Sequence, residues 1–380
     1  MAHIGIAGAG LAGRLLAWSL ARAGHRVEVF DPAADGGPRN DGQGPAGWTA
    51  AGMLSPLAEL ETADAGIALL GWRSLPLWQA VAQALPQRPY FARRGSVMLA
   101  HAPDLGAAQR VLARLAESPR GRAQPLTRAE LAALEPSLHG ATLAWLLPGE
   151  GQVHSVEMMA ALATDAADAG VVWHWRHRVT AIAPGRFGVQ AADGALREAR
   201  FDQVFDVRGT GAQPDAPVRG VRGEVVWLHA PGLTLSRPVR LLHPRHRVYI
   251  VPRPGDLVVI GASEIESEDR SPVSLKTAVE LMAAAHSVLP ELAEARIVHL
   301  ETNLRPALPD NRPHIDAQPG LTRLNGLFRH GWLMAPALVE DALRASGLGP
   351  HLLGEPVADT WDGDAPGTLP PASPSLVEAA

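Results

Sequence analysis

The sequence predicts an α/β protein: a Rossmann-like dinucleotide-binding domain that carries an inserted α+β domain built on an antiparallel sheet. Three observations predict this. A complete βαβ unit opens the chain, a buried strand runs into a Gly-x-Gly turn at 201–212, and strands crowd residues 221–262. A length of 380 residues exceeds one ordinary core and agrees with two domains.

The βαβ unit comes first. His3-Ile4-Gly5-Ile6-Ala7 reads as a short buried parallel strand, and Gly8-Ala9-Gly10-Leu11-Ala12-Gly13 follows at once. Leu15, Leu16 and Leu20 give the next helix its apolar face, Gly24 stands where a C-cap glycine belongs, and Arg26–Phe30 is the second strand. Gly8 makes the tight turn, Gly10 admits a pyrophosphate close to the backbone, and Gly13 lets helix and strand pack. The helix N-terminus faces the negative charge. Asp31, twenty-three residues after Gly8, stands where a carboxylate accepts ribose hydroxyls.

The glycines alone do not separate FAD from a nicotinamide nucleotide. Two features favour FAD. The site opens at residue 3 with no second copy downstream, and segment 201–212, with Gly209 and Gly211, returns the chain to the first sheet after an excursion. The expected frame is an FAD-binding domain of the glutathione-reductase type, formed by residues 1–85, 145–215 and 320–350. Residues 86–144 and 216–319 form the expected substrate-binding domain.

Residues 32–47, rich in Gly, Pro, Asp and Asn, read as a loop, and small residues make a turn from Gly47 to Pro56. Helical patterns cover 63–84 and 104–118, and another begins at Thr127, whose spacing to Glu130 fits a capping box. Arg94–Ala100 reads as a strand, 155–170 as a helix, and 171–183 and 186–191 as strands. Arg222–His229, Val239–His243, Val248–Pro252 and Leu257–Gly261 supply the inserted sheet. A helix at 275–288, a strand at 296–304 and a helix from Trp332 to Leu348 follow. After Trp361 the chain is rich in Pro, Ala and Ser, so a disordered tail is expected over 362–380.

Composition excludes several function classes. A formal charge of -5 with no long basic run gives no reason to expect nucleic acid. The absence of cysteine rules out disulfides, thiolate metal sites, cysteine catalysis and a flavin tethered through sulfur. The histidines show no paired metal-binding spacing: His174 and His177 lie in a strand-like segment, and His243 and His246 flank a turn. No apolar run is long enough to cross a bilayer and no leader pattern precedes the first strand, so a cytoplasmic location is expected.

Several segments then match one family in its own order: Met1–Asp31, Ala50–Pro56, Tyr249–Arg253, Gly261–Glu264, Leu304–Asp310 and Phe328–Pro336. Together they resemble the D-amino-acid oxidase superfamily of FAD enzymes and, within it, the glycine oxidases of thiamine biosynthesis, over roughly residues 1–350. The resemblance implies non-covalent FAD and oxidation of the C–N bond of a small amino acid or amine, such as glycine, sarcosine or a small D-amino acid. Hydride transfer to flavin N5 would give an imine, then the keto acid and ammonia. Oxygen would reoxidise the flavin with release of hydrogen peroxide. Relatives are often oligomers.

The same resemblance implies the site. Arg305 aligns with the arginine that binds the substrate carboxylate, where a guanidinium fork matches a carboxylate bidentately; its bland alternative is a salt bridge to Asp310. Tyr249 would place a hydroxyl on that carboxylate, or is simply a half-buried strand tyrosine. Ala51, Gly52 and Met53 would line the flavin face, although a methionine there also suits a core. Arg329 and His330 precede a helix whose N-terminus at Gly331, Trp332 and Leu333 would stabilise negative charge on the reduced flavin, with His330 alternatively structural. Glu264 departs from the apolar residue found in some glycine oxidases; it would contact a substrate amine or pair with an arginine such as Arg253. Lys276, the only lysine, sits in an expected surface helix and is a poor oxygen-activating residue. Two other readings stay open: a D-amino-acid dehydrogenase or other amine oxidase of the superfamily, and an accessory flavoprotein modifying a partner protein.

Overall fold

The computed structural model describes residues 1–360 except 40, 119, 141–142 and 243–246; the expected tail and the His243–His246 turn lie outside the described residues. Ile4 and Ile6 are fully buried, and the strand His3–Ala7 pairs in parallel with Arg26–Asp31 on one side and Gln203–Asp206 on the other. These strands centre a six-stranded sheet in the order His314–Gln318, Leu321–Asn325, Gln203–Asp206, His3–Ala7, Arg26–Asp31, Val172–Trp175. Only the outermost, His314–Gln318, is antiparallel to its neighbour. The helix Leu11–Arg22 packs against Ser155–Asp168 and Gly331–Ala345, and Gly24, at φ 83°, ends its first turn of following chain in the left-handed region that glycine tolerates.

One expected strand is two. Arg176 adopts a left-handed φ of 59° and breaks 171–183. Val172–Trp175 joins the six-stranded sheet, whereas Arg178–Ala183 forms an antiparallel meander with Arg186–Gln190 and Leu196–Arg200. The capping box at Thr127 forms as expected: its hydroxyl accepts from Glu130 N at 3.2 Å and its own N–H donates to Glu130 Oε2 at 2.8 Å.

The second sheet has eight strands, in the order Arg296–Ala307, Arg219–His229, Leu257–Gly261, Arg247–Arg253, Val239–Leu242, Ser96–Ala100, Leu143–Leu147, Gln124–Leu126. It is antiparallel throughout except where Val239–Leu242 runs parallel to Ser96–Ala100. Both of its faces carry apolar packing. Val226, Ile250 and Ile260 pack with Leu281 and Ala285 of the helix Leu275–His286 on one face, while Val225, Val251 and Val259 pack on Ala51 and Met53 on the other. None of the described helices is long and apolar enough to cross a membrane.

The helix Ala65–Ala84 covers Gly331–Ala345 through two tryptophans. Trp78 is fully buried, its Nε1 donates to Trp332 O at 2.7 Å, and the rings lie 5.1 Å apart. Truncating it removes packing and leaves a cavity, so Trp78→Ala should cost about 4 kcal/mol of stability, read as a lowered urea midpoint.

Candidate active site

A crevice of about 1110 Å³ runs between the two sheets, and all of the singled-out site residues except Gly13 line it. Gly13 lies behind the lining, where a Cβ would overlap the Gly8 carbonyl, so its part is the close packing expected of it. At Gly10 a Cβ would meet only Pro45, at 3.6 Å, which leaves the loop open on the crevice side. Asp31 braces this loop: Oδ2 accepts from Ala9 N at 2.7 Å and Oδ1 from Ala33 N at 2.8 Å. Arg14, which the sequence did not single out, supports the loop from behind. It is buried, donates to the carbonyls of Ala9, Met159 and Gly36, and lies 4.8 Å from the Trp48 ring. Burial pulls its pKa down to about 10.

The second helix terminus in the crevice is that of Gly331–Ala345. No side chain caps it, nor the N-terminus of Leu11–Arg22, so both present partial positive charge to whatever binds. An FAD fits these features: a glycine loop open to a diphosphate, a carboxylate nearby, and a second helix dipole further along one continuous cavity. Residues 45–53 form the wall between the two termini, pinned from three elements. Trp332 Nε1 donates to Gly47 O at 3.0 Å, Asn303 Nδ2 donates to Thr49 Oγ1 at 3.1 Å, and Arg253 donates to Ala51 O.

The opposite wall is the eight-stranded sheet. Its register sets Glu301, Val225, Gly261, Tyr249 and Arg240 in one row across five strands, with Arg305 four residues beyond Glu301 on the same face. Two glycines make room for the large side chains. A Cβ at Gly261 would overlap the Tyr249 hydroxyl, and one at Gly223 would overlap the Arg305 guanidinium. Arg305 has one hydrogen bond, from Nη1 to Arg222 O at 3.4 Å, and no ion-pair partner among the described residues. Asp310 is not its partner: that carboxylate accepts from Arg312 N at 3.0 Å. Burial lowers the Arg305 pKa against the opposing effect of Tyr249, and burial raises that of Tyr249 against Arg305.

Arg329 and Glu264 belong to a charged cluster that the sequence did not reveal. Its centre is Glu59, 2.8 Å from Arg240 Nη2, 3.0 Å from Arg329 Nη2 and 3.2 Å from His330 Nδ1. Burial alone would raise the Glu59 pKa, but Arg240, His330 and Arg329 hold it well below the usual carboxylate range. Glu264 Oε2 lies 3.0 Å from Arg329 Nη1. The expected Glu264–Arg253 pair does not form, because Arg253 is fully buried among the carbonyls of Ala51 and Pro252 and the Gln152 amide. One signal could have exposed the cluster. Arg240 interrupts the apolar strand Val239–Leu242, and a charge inside a buried strand needs a partner. Lys276 is exposed at the outer margin of the crevice.

A dinucleotide loop, a second helix terminus and an unmatched guanidinium lie on one crevice, an arrangement that fits a flavin-dependent oxidoreductase. Comparison with known proteins narrows the class. The family described as FAD dependent oxidoreductase (DAO) matches residues 3–341, and the chain belongs to it. Over 339 residues it is 36% identical to a Rhizobium etli protein that bears the name thiamine biosynthesis oxidoreductase ThiO, covering 89% of this chain and 94% of that one. Over 361 residues it is 28% identical to the glycine oxidase of Geobacillus kaustophilus, covering 88% of this chain and 89% of that one. The crystal structure of glycine oxidase from Geobacillus kaustophilus matches with a TM-score of 0.75 at 25% identity, covering 91% of this chain and 95% of that one. The protein is an FAD-dependent oxidoreductase similar to glycine oxidases and ThiO.

Removing Glu59 leaves Arg240 buried without its principal partner, so Glu59→Gln should lower stability by about 3 kcal/mol. Because the folded pKa of Glu59 is depressed, its contribution is present above the ordinary carboxylate pKa and is lost as pH falls through the lower folded value. The native protein should therefore lose this stability in acid, and the variant should show a shallower acid limb in thermal melts. Glu301 has the opposite sign: burial raises its pKa to about 7, countered by Thr49. Stability should fall as pH rises from the ordinary carboxylate value toward 7, and Glu301→Gln should flatten that slope.

Proposed function

We propose that the protein oxidises the C–N bond of a small α-amino acid (glycine, sarcosine or a small D-amino acid) to an imine, which water hydrolyses to the keto acid and ammonia. Bound FAD supplies the two-electron acceptor, and oxygen carries those electrons away as hydrogen peroxide. The observation that carries this reading is Arg305, a guanidinium enclosed in the crevice wall with no carboxylate of its own. A substrate carboxylate gives it the missing partner through charge-assisted bonds in a water-poor setting. Tyr249, set beside it by the shared sheet face, donates its hydroxyl to the same carboxylate.

Holding the carboxylate at this wall fixes the position of the substrate's α-carbon relative to residues 51–53, and catalysis rests mainly on that orientation. Glu59 is a poor general base, since two arginines share it and its pKa is depressed. The N-terminus of Gly331–Ala345 contributes positive potential to the same space through backbone N–H groups, so the side chains of Arg329 and His330 act by holding that terminus in place.

The purified yellow protein, given glycine, sarcosine and small D-amino acids without oxygen, should bleach, then recolour in air with release of peroxide. Arg305→Ala should keep the flavin spectrum but raise KM for glycine about 100-fold, equivalent to losing about 3 kcal/mol of charge-assisted bonding. A yellow protein that no free amino acid bleaches overturns the reading. Bleaching with no recolouration in air would replace the oxidase by a dehydrogenase.

A further inference from the structure

Two other guanidiniums line the crevice near Arg305, Arg240 from the sheet and Arg329 from the entry to the helix Gly331–Ala345, and both are already matched. Arg240 lies 2.8 Å from Glu59 Oε1 and 3.2 Å from Glu61 Oε2. Arg329 donates through Nη2 to Glu59 Oε2 at 3.0 Å and Thr62 Oγ1 at 2.7 Å, and through Nη1 to Glu264 Oε2 at 3.0 Å. Glu59 is thus divided between two arginines, whereas Glu264 forms its ion pair with Arg329 and acts on Arg305 only from a greater distance. Glu264 comes from a different place from the rest of the cluster: it follows the strand Leu257–Gly261, and its side chain remains 43% exposed at the crevice.

We infer that Glu264 sets the charge specificity of the substrate pocket: by occupying Arg329 it restricts the site to amino acids with one carboxylate, whose remaining substituent is neutral or cationic. This rests on the amino-acid oxidase reading above. With the first carboxylate on Arg305, a second carboxylate extending toward residue 264 meets a like charge, and the nearest guanidinium donors are already in use. An ammonium or guanidinium substituent in the same place meets an accessible carboxylate oxygen. Without Glu264, Arg329 keeps its Nη2 contacts to Glu59 and Thr62 and presents an unpaired Nη1 to the crevice. Loss of this one side chain therefore reverses the preference rather than weakening every substrate alike.

The holoenzyme and the variants Glu264→Gln and Glu264→Met are compared by kcat/KM for glycine, D-alanine, D-lysine and D-aspartate. The native protein should favour D-lysine over D-aspartate, and each variant should raise the ratio of D-aspartate to D-alanine by about tenfold while lowering that of D-lysine. In parallel, acetate and malonate are titrated against the oxidised flavin spectrum. Malonate should bind the variants about tenfold more tightly than the native protein, with acetate little changed. Uniform loss across all substrates, or ratios and malonate affinity unchanged by either variant, would overturn the inference while leaving the amino-acid oxidase reading of the native protein intact. If no amino acid is turned over, the parent reading falls, and the malonate titration alone decides whether Glu264 screens Arg329 from a second carboxylate.

Discussion

The carboxylate of Glu59 is held at once by Arg240 from the eight-stranded sheet and by Arg329 and His330 at the entry to the helix Gly331–Ala345. It comes from the short helix Pro56–Glu59, directly after the wall of residues 45–53. Three elements from distant parts of the chain therefore meet on one group. Dissolving any one of these ion pairs would leave a charge in a poorly hydrated place, so the elements are locked together by the cost of separating them. The position of the crevice between the two sheets depends on this joint.

The rest of the pocket follows from exchanges of volume across the large sheet. Glycine stands at 223 and 261 where neighbouring strands project Arg305 and Tyr249, so polar side chains lie down on the sheet instead of standing away from it. The same face turns apolar further along, with Val225, Val251 and Val259 packing on Ala51 and Met53. A rigid apolar floor with a few convergent polar groups suits an oxidation that depends on placing a carbon atom rather than on moving a proton through a side-chain base.

Electrostatically, the crevice separates two tasks. One end offers a glycine loop and the N-terminus of the helix Leu11–Arg22, which favour an anionic dinucleotide. The other offers arginines, of which Arg240 and Arg329 are held in ion pairs and Arg305 has no ion-pair partner among the described residues. The ion-pair network thereby also decides which guanidinium at the crevice stays unpaired.

Local chemistry made much of this legible. The βαβ unit lies within thirty-one residues, and its turn, helix and carboxylate each follow from short-range spacing. The Thr127 capping box and the buried strands within 222–261 are equally local, whereas the buried strand Leu143–Leu147 was not read from the sequence. Strands His314–Gln318 and Leu196–Arg200 escaped notice because they are mostly exposed and lack an apolar alternation. The fold class, the dinucleotide loop and the candidate carboxylate-binding arginine were thus within reach of the sequence by itself, because each is written in contiguous residues. The partners of the charges were decided only by tertiary structure. Glu59 and Arg240 are 181 residues apart, and Glu264 and Arg329 are 65 apart. No local spacing specifies such pairs: they exist because packing two sheets against one helix leaves those side chains facing each other with too little water to stay alone.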